Sequence, residues 1–245
     1  MFSFFKSRPV LKDLIPSNYV DIHSHLLPGI DDGAQNLSET LFLVNKMIGL
    51  GFNQIITTPH VIKNIWNNSR SGIIELEKQT ILDLSNKNIN IQFKAAAEYM
   101  MDVDFLNLFQ TEKLLTLKEN YVLVEMSYLN PPIQLYDIIF NLQIAGYIPI
   151  LAHPERYSFY TNNFNEYYKL KKAGCLFQLN LLSTVGYYGL DATKTTDTLL
   201  KNGMYDYVGS DVHHENHINS FDLKVKISNL SELKKVIDCN QFFRI

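Results

Sequence analysis

The chain has 245 residues, a formal net charge of −3 at pH 7 and 46% hydrophobic residues. This length suffices for one large domain or two small ones, and the charge gives no reason to expect nucleic acid or an acidic membrane as a partner. No apolar run is long enough to span a bilayer, Cys175 and Cys239 form no CxxC motif, and the first residues do not form an export signal, so we expect a cytoplasmic protein with reduced thiols.

Residues 1–18 precede the first predicted strand and combine several apolar side chains with few basic ones. We expect this N-terminal arm to pack on the body of the domain. A partner or membrane contact is the alternative, which the small number of basic residues disfavours.

From residue 19 onward, short β-rich runs alternate with helical stretches. The predicted strands are 19–25, 53–58, 91–98, 121–126, 147–152, 175–180 and 205–210. Alternation of strand and helix over this length indicates a parallel sheet, either doubly wound or closed into a barrel.

Three helices have clear sequence signals. Apolar residues recur at helical spacing from Leu37 to Ile48, and Gly49 and Gly51 follow. Pro131 and Pro132 are expected to open a helix that Gly146 ends. A third apolar stripe, from 227 to 237, predicts a C-terminal helix.

Potential ligands stand at the C-terminal ends of nearly all predicted strands: His25, His60, Glu98, Glu125, His153, Asp211 and His213. A closed barrel brings all these ends to one mouth, whereas an open sheet brings together only two or three. The sequence therefore predicts an α/β fold, a distorted TIM-like (β/α)7 barrel, with its active site at the C-terminal ends of the strands.

The ligand types indicate a metal site. Asp21, His23 and His25 share one face of the first strand, and two neighbouring imidazoles can hold an ion. The full set has more imidazoles and carboxylates than one ion needs. Nitrogen and oxygen ligands without thiolate suit Mn, Zn or Fe, and carboxylates can bridge ions ~3.5–4 Å apart.

Five ordered motifs resemble the PHP (polymerase and histidinol phosphatase) superfamily. They are Asp21-Ile22-His23-Ser24-His25, Asp31-Asp32-Gly33, Thr58-Pro59-His60, Ala152-His153-Pro154-Glu155-Arg156-Tyr157 and Ser210-Asp211-Val212-His213. Within it they are most similar to the bacterial manganese-dependent protein-tyrosine phosphatases of capsule and exopolysaccharide systems. The resemblance implies a single PHP-type metallophosphatase barrel over residues 19–245, with the arm 1–18 outside it.

The resemblance also implies three divalent metal ions, manganese first, with Fe, Zn or Co as alternatives. Matched motif by motif, the first ion would be bound by His23, His25, Glu98 and Asp211; the second by Glu98, Glu125 and His153; and the third by Asp32, His60 and His213. Asp32 is preferred to Asp31 because it directly precedes Gly33. Asp21 is expected to lie behind the ligands.

Two further residues are expected to act on the substrate. Arg156 follows His153 by three residues, and its fork of donors fits a phosphate group. Some relatives carry a second arginine after the seventh strand, where this chain has Ile218. The neighbouring His217 is our candidate substitute or proton donor; a solvated loop histidine is the alternative.

The implied activity is hydrolysis of a phosphomonoester, in which metal-activated hydroxide attacks phosphorus. The implied substrate is phosphotyrosine in a protein, the tail of a bacterial tyrosine kinase of capsule or exopolysaccharide synthesis. One alternative is a histidinol-phosphate phosphatase, although those relatives generally have histidine in the role of Asp32. The other is a non-catalytic metal-bound scaffold, although such chains usually lose ligands.

Two other classes lack their motifs. A cysteine phosphatase needs Cys-x5-Arg, but Leu181 stands at that place after Cys175, and Arg244 comes one residue too early after Cys239. A nucleotide-binding module is disfavoured because GxxxxGK is absent and the pattern from Gly49 fails GxGxxG.

Overall fold

In residues 8–161 and 163–245, which the computed structural model describes, nine strands form two parallel sheets. The strands are β1 (Tyr19–Asp21), β2 (Phe52–Thr57), β3 (His60–Val61), β4 (Gln92–Ala95), β5 (Glu98–Met100), β6 (Tyr121–Glu125), β7 (Ile148–Ala152), β8 (Leu176–Asn180) and β9 (Tyr207–Gly209). The smaller sheet has the order β1-β2-β4, and the larger has the order β3-β5-β6-β7-β8-β9. The predicted α/β class with parallel strands is confirmed.

Helices connect the strands. They are α1 (Leu37–Gly49), α2 (Arg70–Asn86), α3 (Val103–Thr111), α4 (Leu135–Ile144), α5 (Asn165–Lys172), α6 (Gly189–Lys201), α7 (Glu215–Asn219) and α8 (Leu230–Cys239). The first predicted helix is confirmed as α1, and the C-terminal helix is confirmed as α8. The predicted opening of the second helix at Pro131 and Pro132 is wrong, since α4 begins at Leu135. A proline disfavours helical backbone in the residue before it, which keeps the start of this segment out of the helix.

The closed barrel is not confirmed, because the described strands form two hydrogen-bonded sheets. The predicted strand 91–98 is divided into β4 and the start of β5, and the predicted strand 53–58 gives β2, which Pro59 separates from the short strand β3. Proline has no N–H donor, so it interrupts a strand ladder. Beyond the ends of β1 and β9, Ser24 forms an isolated parallel bridge with Val212.

Inward-facing side chains of the strands form a small apolar cluster, which includes the fully buried Val20, Ile56, Leu123 and Ile150. Side chains two residues apart share a strand face, so on β6 the carboxylate of Glu125 lies one step beyond Leu123. The larger core packs between the outer strand faces and the helices. The inner cluster thus supports the polar residues at the strand ends.

The described part of the arm contacts the body. Leu11, in a short 3₁₀ turn from Leu11 to Leu14, is fully buried, and Val10 pairs with Lys224 in an antiparallel bridge. Residues 1–7 lie outside the described residues. Within the part of the chain that is described, no helix is both long and apolar enough to cross a bilayer.

Candidate metal centre

Buried imidazoles and carboxylates converge where the two sheets meet. His60 and Glu98 open β3 and β5 and lie opposite each other in register. Glu125 ends β6, and His153 directly follows β7. The break between β2 and β3 and the break between β4 and β5 therefore each end directly before a candidate ligand.

The four residues predicted to bind the first ion contact one another. His23 Nε2 lies 3.2 Å from Glu98 Oε2 and 3.1 Å from Asp211 Oδ1. His25 Nε2 lies 3.4 Å from each of the same two oxygens. All four side chains are buried.

The remaining predicted ligands extend this cluster on both sides. His153 Nε2 lies 3.3 Å from Glu98 Oε1, and His60 Nδ1 lies 2.9 Å from Glu125 Oε1. Asp32 Oδ1 lies 3.4 Å from His60 Nε2 and 3.5 Å from His213 Nε2. The structure thus brings all nine predicted ligands together.

The geometric groups only partly follow the three predicted ligand sets. Atoms within 4.8 Å of one another form four groups: His25, Asp32, His60 and His213; His23, Glu98 and His153; His23, His25 and Asp211; His60, Glu98 and Glu125. Four residues each belong to two groups: His23, His25, His60 and Glu98. The assignment of residues to individual ions therefore stays a prediction.

The cluster has the chemistry of a site for divalent cations. Among the described residues, its buried atoms without a hydrogen-bond partner are His60 Nδ1, His153 Nδ1, both oxygens of Glu98 and Oε1 of Glu125. His60 Nδ1 and Glu125 Oε1 are close, but they lack hydrogen-bond geometry. A buried carboxylate without a partner is costly, and a bound cation removes that cost. The residues present fit the metal ions that the sequence predicts.

Charge coupling dominates the protonation of this cluster. Burial opposes a charge on His23, but the Glu98 and Asp211 carboxylates outweigh it and raise the pKa of His23 to about 10. Burial also opposes the ionised form of Asp211, yet the nearby His23 and His213 hold its pKa well below the usual range. Burial and the Arg156 charge lower the pKa of His153 to about 4, so this imidazole is neutral at pH 7, the form that binds metal.

Three residues behind the ligands hold them in place. Asp31 Oδ2 accepts from His25 Nδ1 at 2.8 Å, and Gln178 Oε1 accepts from His23 Nδ1 at 2.7 Å. Each bond turns an Nε2 atom toward the cluster. Asp21 accepts from the backbone N–H and the hydroxyl of Ser210, as its expected place behind the ligands requires.

Sequence reasoning missed the roles of Asp31 and Gln178. The adjacent acids Asp31 and Asp32 were a signal, but only one was given a role. Asp31 is buried, whereas the side chain of Asp32 is 55% exposed, which separates an anchoring carboxylate from one at the rim. Gln178 is 155 residues from His23 in sequence, and no local pattern marks it.

Two candidate ligands have a strained backbone. His153 and Asp211 adopt positive φ angles of 36° and 52°. Such left-handed conformations cost about 1–3 kcal/mol each in residues other than glycine, and they concentrate at functional sites. His153 directly follows β7, and Asp211 is the second residue after β9, so the left-handed turn at each brings the side chain into the cluster.

The two predicted catalytic residues lie beside Asp211. Arg156 Nη1 donates to Asp211 Oδ2 at 2.7 Å. His217 is buried, with Nδ1 3.0 Å from the Asp211 carbonyl oxygen and 3.2 Å from the His213 backbone nitrogen. His217 Nδ1 thus faces the backbone, and a role for this residue in catalysis stays a prediction.

Comparison with known proteins gives consistent results. A family model described as capsular polysaccharide synthesis, CpsB/CapC, matches residues 19–224. The tyrosine-protein phosphatase YwqE of Bacillus subtilis is 27% identical over 196 residues, covering 80% of this chain and 77% of the relative. The tyrosine-protein phosphatase CpsB of Streptococcus pneumoniae is 27% identical over 203 residues, covering 80% and 83%.

Solved structures agree with these relatives. The chain superposes with a TM-score of 0.78 on a structure reported for YwqE from Bacillus subtilis and CpsB from Streptococcus pneumoniae, described as metal-dependent tyrosine phosphatases. The identity is 26%, covering 88% of this chain and 86% of that one. A histidinol phosphate phosphatase from Lactococcus lactis shares the fold, with a TM-score of 0.54 and 12% identity, covering 91% and 94%.

Proposed function

Since the chain belongs to the CpsB/CapC family of capsular polysaccharide synthesis, we propose that it is a metal-dependent phosphatase that hydrolyses phosphotyrosine in proteins. The relatives named tyrosine-protein phosphatases support this proposal, because they align over most of both chains. The observation that carries it is the buried cluster of nine imidazoles and carboxylates, with unpartnered atoms and an arginine at its edge.

We propose that the cluster holds three divalent ions, with manganese as the first choice and Fe, Zn or Co as alternatives. The proposed ligand sets are those that the motifs predict, with Glu98 shared between two ions. In support, the two oxygens of Glu98 face different neighbours, with Oε2 near His23 and Oε1 near His153. Bound ions would supply Lewis acidity to a water nucleophile and to the phosphoryl oxygens.

The residues of the chain then have distinct tasks. Arg156 would bind the phosphate oxygens with the donors that its bond to Asp211 leaves free. His217, close behind Asp211 and His213, would contact the substrate or hand a proton to the leaving oxygen. A phenolate leaves with little help from an acid, because the phenol pKa is near ~10.

We further propose that residues 19–245 form a single domain whose two sheets act together as a distorted barrel. The Ser24–Val212 bridge supports this, as does the bond from the His25 N–H to the Val212 carbonyl oxygen at 2.9 Å, since both join the segments that follow the first and last strands. The bond from the Glu98 N–H to the Pro59 oxygen, at 3.1 Å, links the start of β5 to the segment between β2 and β3.

We propose the phosphorylated tail of a bacterial tyrosine kinase as the protein substrate and the cytoplasm as the place of action. The family description, capsular polysaccharide synthesis, supports the kinase tail as substrate, because the motifs resemble phosphatases of such systems. The free thiols of Cys175 and Cys239 support the cytoplasm as the place of action.

The test is a rate panel on phosphotyrosine peptide, phosphoserine peptide and histidinol phosphate, with the protein reconstituted with each divalent metal. We expect the fastest turnover on phosphotyrosine peptide. His153→Ala and Asp211→Ala should remove turnover while the circular dichroism spectrum stays unchanged.

Each alternative has its own outcome. Faster turnover of histidinol phosphate would replace the proposed substrate, and full activity in either alanine variant would refute the site. Bound metal without turnover under any ion would indicate a scaffold.

A further inference from the structure

Arg156 lies between two tyrosine rings. The guanidinium carbon of Arg156 is 4.0 Å from the ring centroid of Tyr188 and 4.8 Å from that of Tyr128. Arginine stacks favourably on aromatic faces, both by cation–π attraction and because the guanidinium is planar. Two such contacts restrict the rotation of the guanidinium far more than one does.

The guanidinium is held but not saturated. Within the described residues, the bond to Asp211 Oδ2 is the one hydrogen bond that the Arg156 side chain makes. A guanidinium carries five N–H donors. The remaining donors are therefore available to an anion, while a side chain held only by Asp211 would be free to swing away from it.

The two rings are themselves anchored to the metal centre. The Tyr188 hydroxyl accepts from Asn180 Nδ2 at 3.2 Å, and the same amide donates to Asp211 Oδ2 at 2.8 Å. The Tyr128 ring stacks on the imidazole of His153, with centroids 5.8 Å apart and planes inclined by 25°. Each ring thus connects Arg156 to a candidate ligand: Tyr188 to Asp211, through Asn180, and Tyr128 to His153.

A cavity of about 370 Å³ opens beside this arrangement. Tyr128, Arg156 and Tyr188 line it, together with Ser158 and Thr161. The guanidinium therefore borders a space that a phosphate-bearing side chain can enter.

We propose that Tyr128 and Tyr188 are positioning residues that hold the Arg156 guanidinium in the orientation that binds substrate phosphate. The proposal rests on the proposed phosphatase function and adds two residues to it that no motif marks. The rings act on Arg156 through their faces, so a phenylalanine ring keeps most of the effect although it loses the hydroxyl contact, such as that of Tyr188 with Asn180, whereas an aliphatic side chain does not.

The test measures how tightly inorganic phosphate binds to the metal-loaded protein, by calorimetry and as competitive inhibition of 4-nitrophenyl phosphate hydrolysis. The variants are Tyr188→Leu, Tyr188→Phe, Tyr128→Leu and Tyr128→Phe. Tyr168→Leu serves as the matched control, because Tyr168 is half exposed on α5 and bonds to Asn202. Metal content and circular dichroism verify that each variant is folded.

We expect each leucine variant to bind phosphate about tenfold more weakly, which corresponds to about 1.4 kcal/mol, and to raise KM more than it lowers kcat. The phenylalanine variants and Tyr168→Leu should bind phosphate with an affinity within about twofold of that of the wild-type protein. If Tyr188→Leu does not fold, Tyr128→Leu carries the test, since Tyr128 is 43% exposed.

A second background isolates the route of action. In Arg156→Ala, the added Tyr188→Leu or Tyr128→Leu should weaken phosphate binding no further. An equal loss in that background would overturn the proposal, as would unchanged phosphate affinity in the leucine variants or no phosphate binding by the unchanged protein. If the protein binds phosphate but hydrolyses no aryl phosphate, the proposed function fails, while the affinities still decide the role of the rings.

Discussion

The buried carboxylate of Asp31 should control metal affinity although it is not a predicted ligand. Its Oδ2 accepts from His25 Nδ1 at 2.8 Å and from the His60 backbone N–H at 3.0 Å, while Oδ1 accepts from the Gly33 N–H at 3.0 Å. Asp31→Asn replaces one of these oxygens by an amide group. Every orientation of the amide then turns an N–H toward another N–H, so at least one buried donor loses its partner.

The expected cost has two independent estimates. A buried donor left without a partner costs about 1–3 kcal/mol. Substitution of a residue that orients a metal-bound histidine typically weakens metal binding about 10–100-fold, which corresponds to about 1.4–2.8 kcal/mol. The ranges overlap, so we expect Asp31→Asn to bind metal about 10–100-fold more weakly.

Competition with a chelating dye measures this affinity, and metal analysis gives the stoichiometry. Asp31→Asn should keep the full number of ions at saturating metal, whereas Asp32→Asn, which removes a proposed ligand, should lose one. Asp191→Asn is the matched control, because the Asp191 side chain is 77% exposed and its nearest cation, Lys194, is 3.9 Å away. Wild-type affinity in Asp31→Asn would refute the anchoring role of Asp31.

Three further outcomes follow from the same structure. Gly33→Ala should lower the free energy of unfolding by about 1–3 kcal/mol and weaken metal binding, because the added Cβ would lie 2.1 Å from the His25 carbonyl oxygen. The control Gly49→Ala, which has open space around the added Cβ, should leave the stability in urea unchanged or raise it. Removing metal with a chelator should lower the melting temperature by about 5–10 °C for each ion, relative to protein in metal at 100 times the Kd of that ion, and an unchanged melting temperature would argue against folded-state metal binding. For Asp197, burial opposes the charge, but donors from Ser228 and Asn229 lower its pKa below the usual 3.8, so its contribution is complete above pH 3.8 and is lost as the pH falls through the folded-state pKa. Asp197→Ala should therefore cost about 1 kcal/mol at pH 7 and less at pH 3, and equal costs at the two pH values would contradict this.

Strand positions were predictable because most of the strands lie in short apolar runs that a polar residue ends or follows. Ile148–Ala152, for example, lies within the predicted range 147–152. The separation of β3 from β2 was harder to foresee, although Pro59 is visible in the sequence and cannot donate to a ladder. Whether sheets close into a barrel depends on twist and on contacts between the first and last strands, which local sequence patterns do not encode.

The start of α4 was misplaced for a local reason. Pro131 suits the first turn of a helix, but a second proline directly after it disfavours helical backbone at Pro131 itself. The helix therefore begins only at Leu135, after Gln134 at its N-cap. Two competing effects of the same residue type decided the outcome.

Candidate ligands were easier to find than the residues that hold them. A ligand must be His, Asp or Glu at a strand end, and few positions satisfy both conditions. A positioning residue needs only one donor or acceptor at the right distance, so Gln178 and Asp31 look ordinary in sequence. Tyr128 and Tyr188 are harder still, since they act through ring faces and the chain has 14 tyrosines.

The electrostatics of the cluster connect the fold to its chemistry. Glu98, Glu125 and Asp211 bring three carboxylates into a nearly dry space, and both oxygens of Glu98 lack hydrogen-bond partners among the described residues. Protons offset part of this charge: burial opposes a charge on His23, but the Glu98 and Asp211 carboxylates outweigh it and raise the pKa of His23 to about 10. A divalent ion that binds there displaces those protons, so metal affinity should fall as the pH is lowered. The negative charge that is costly to bury in this cluster is thus the same charge that would attract a divalent cation.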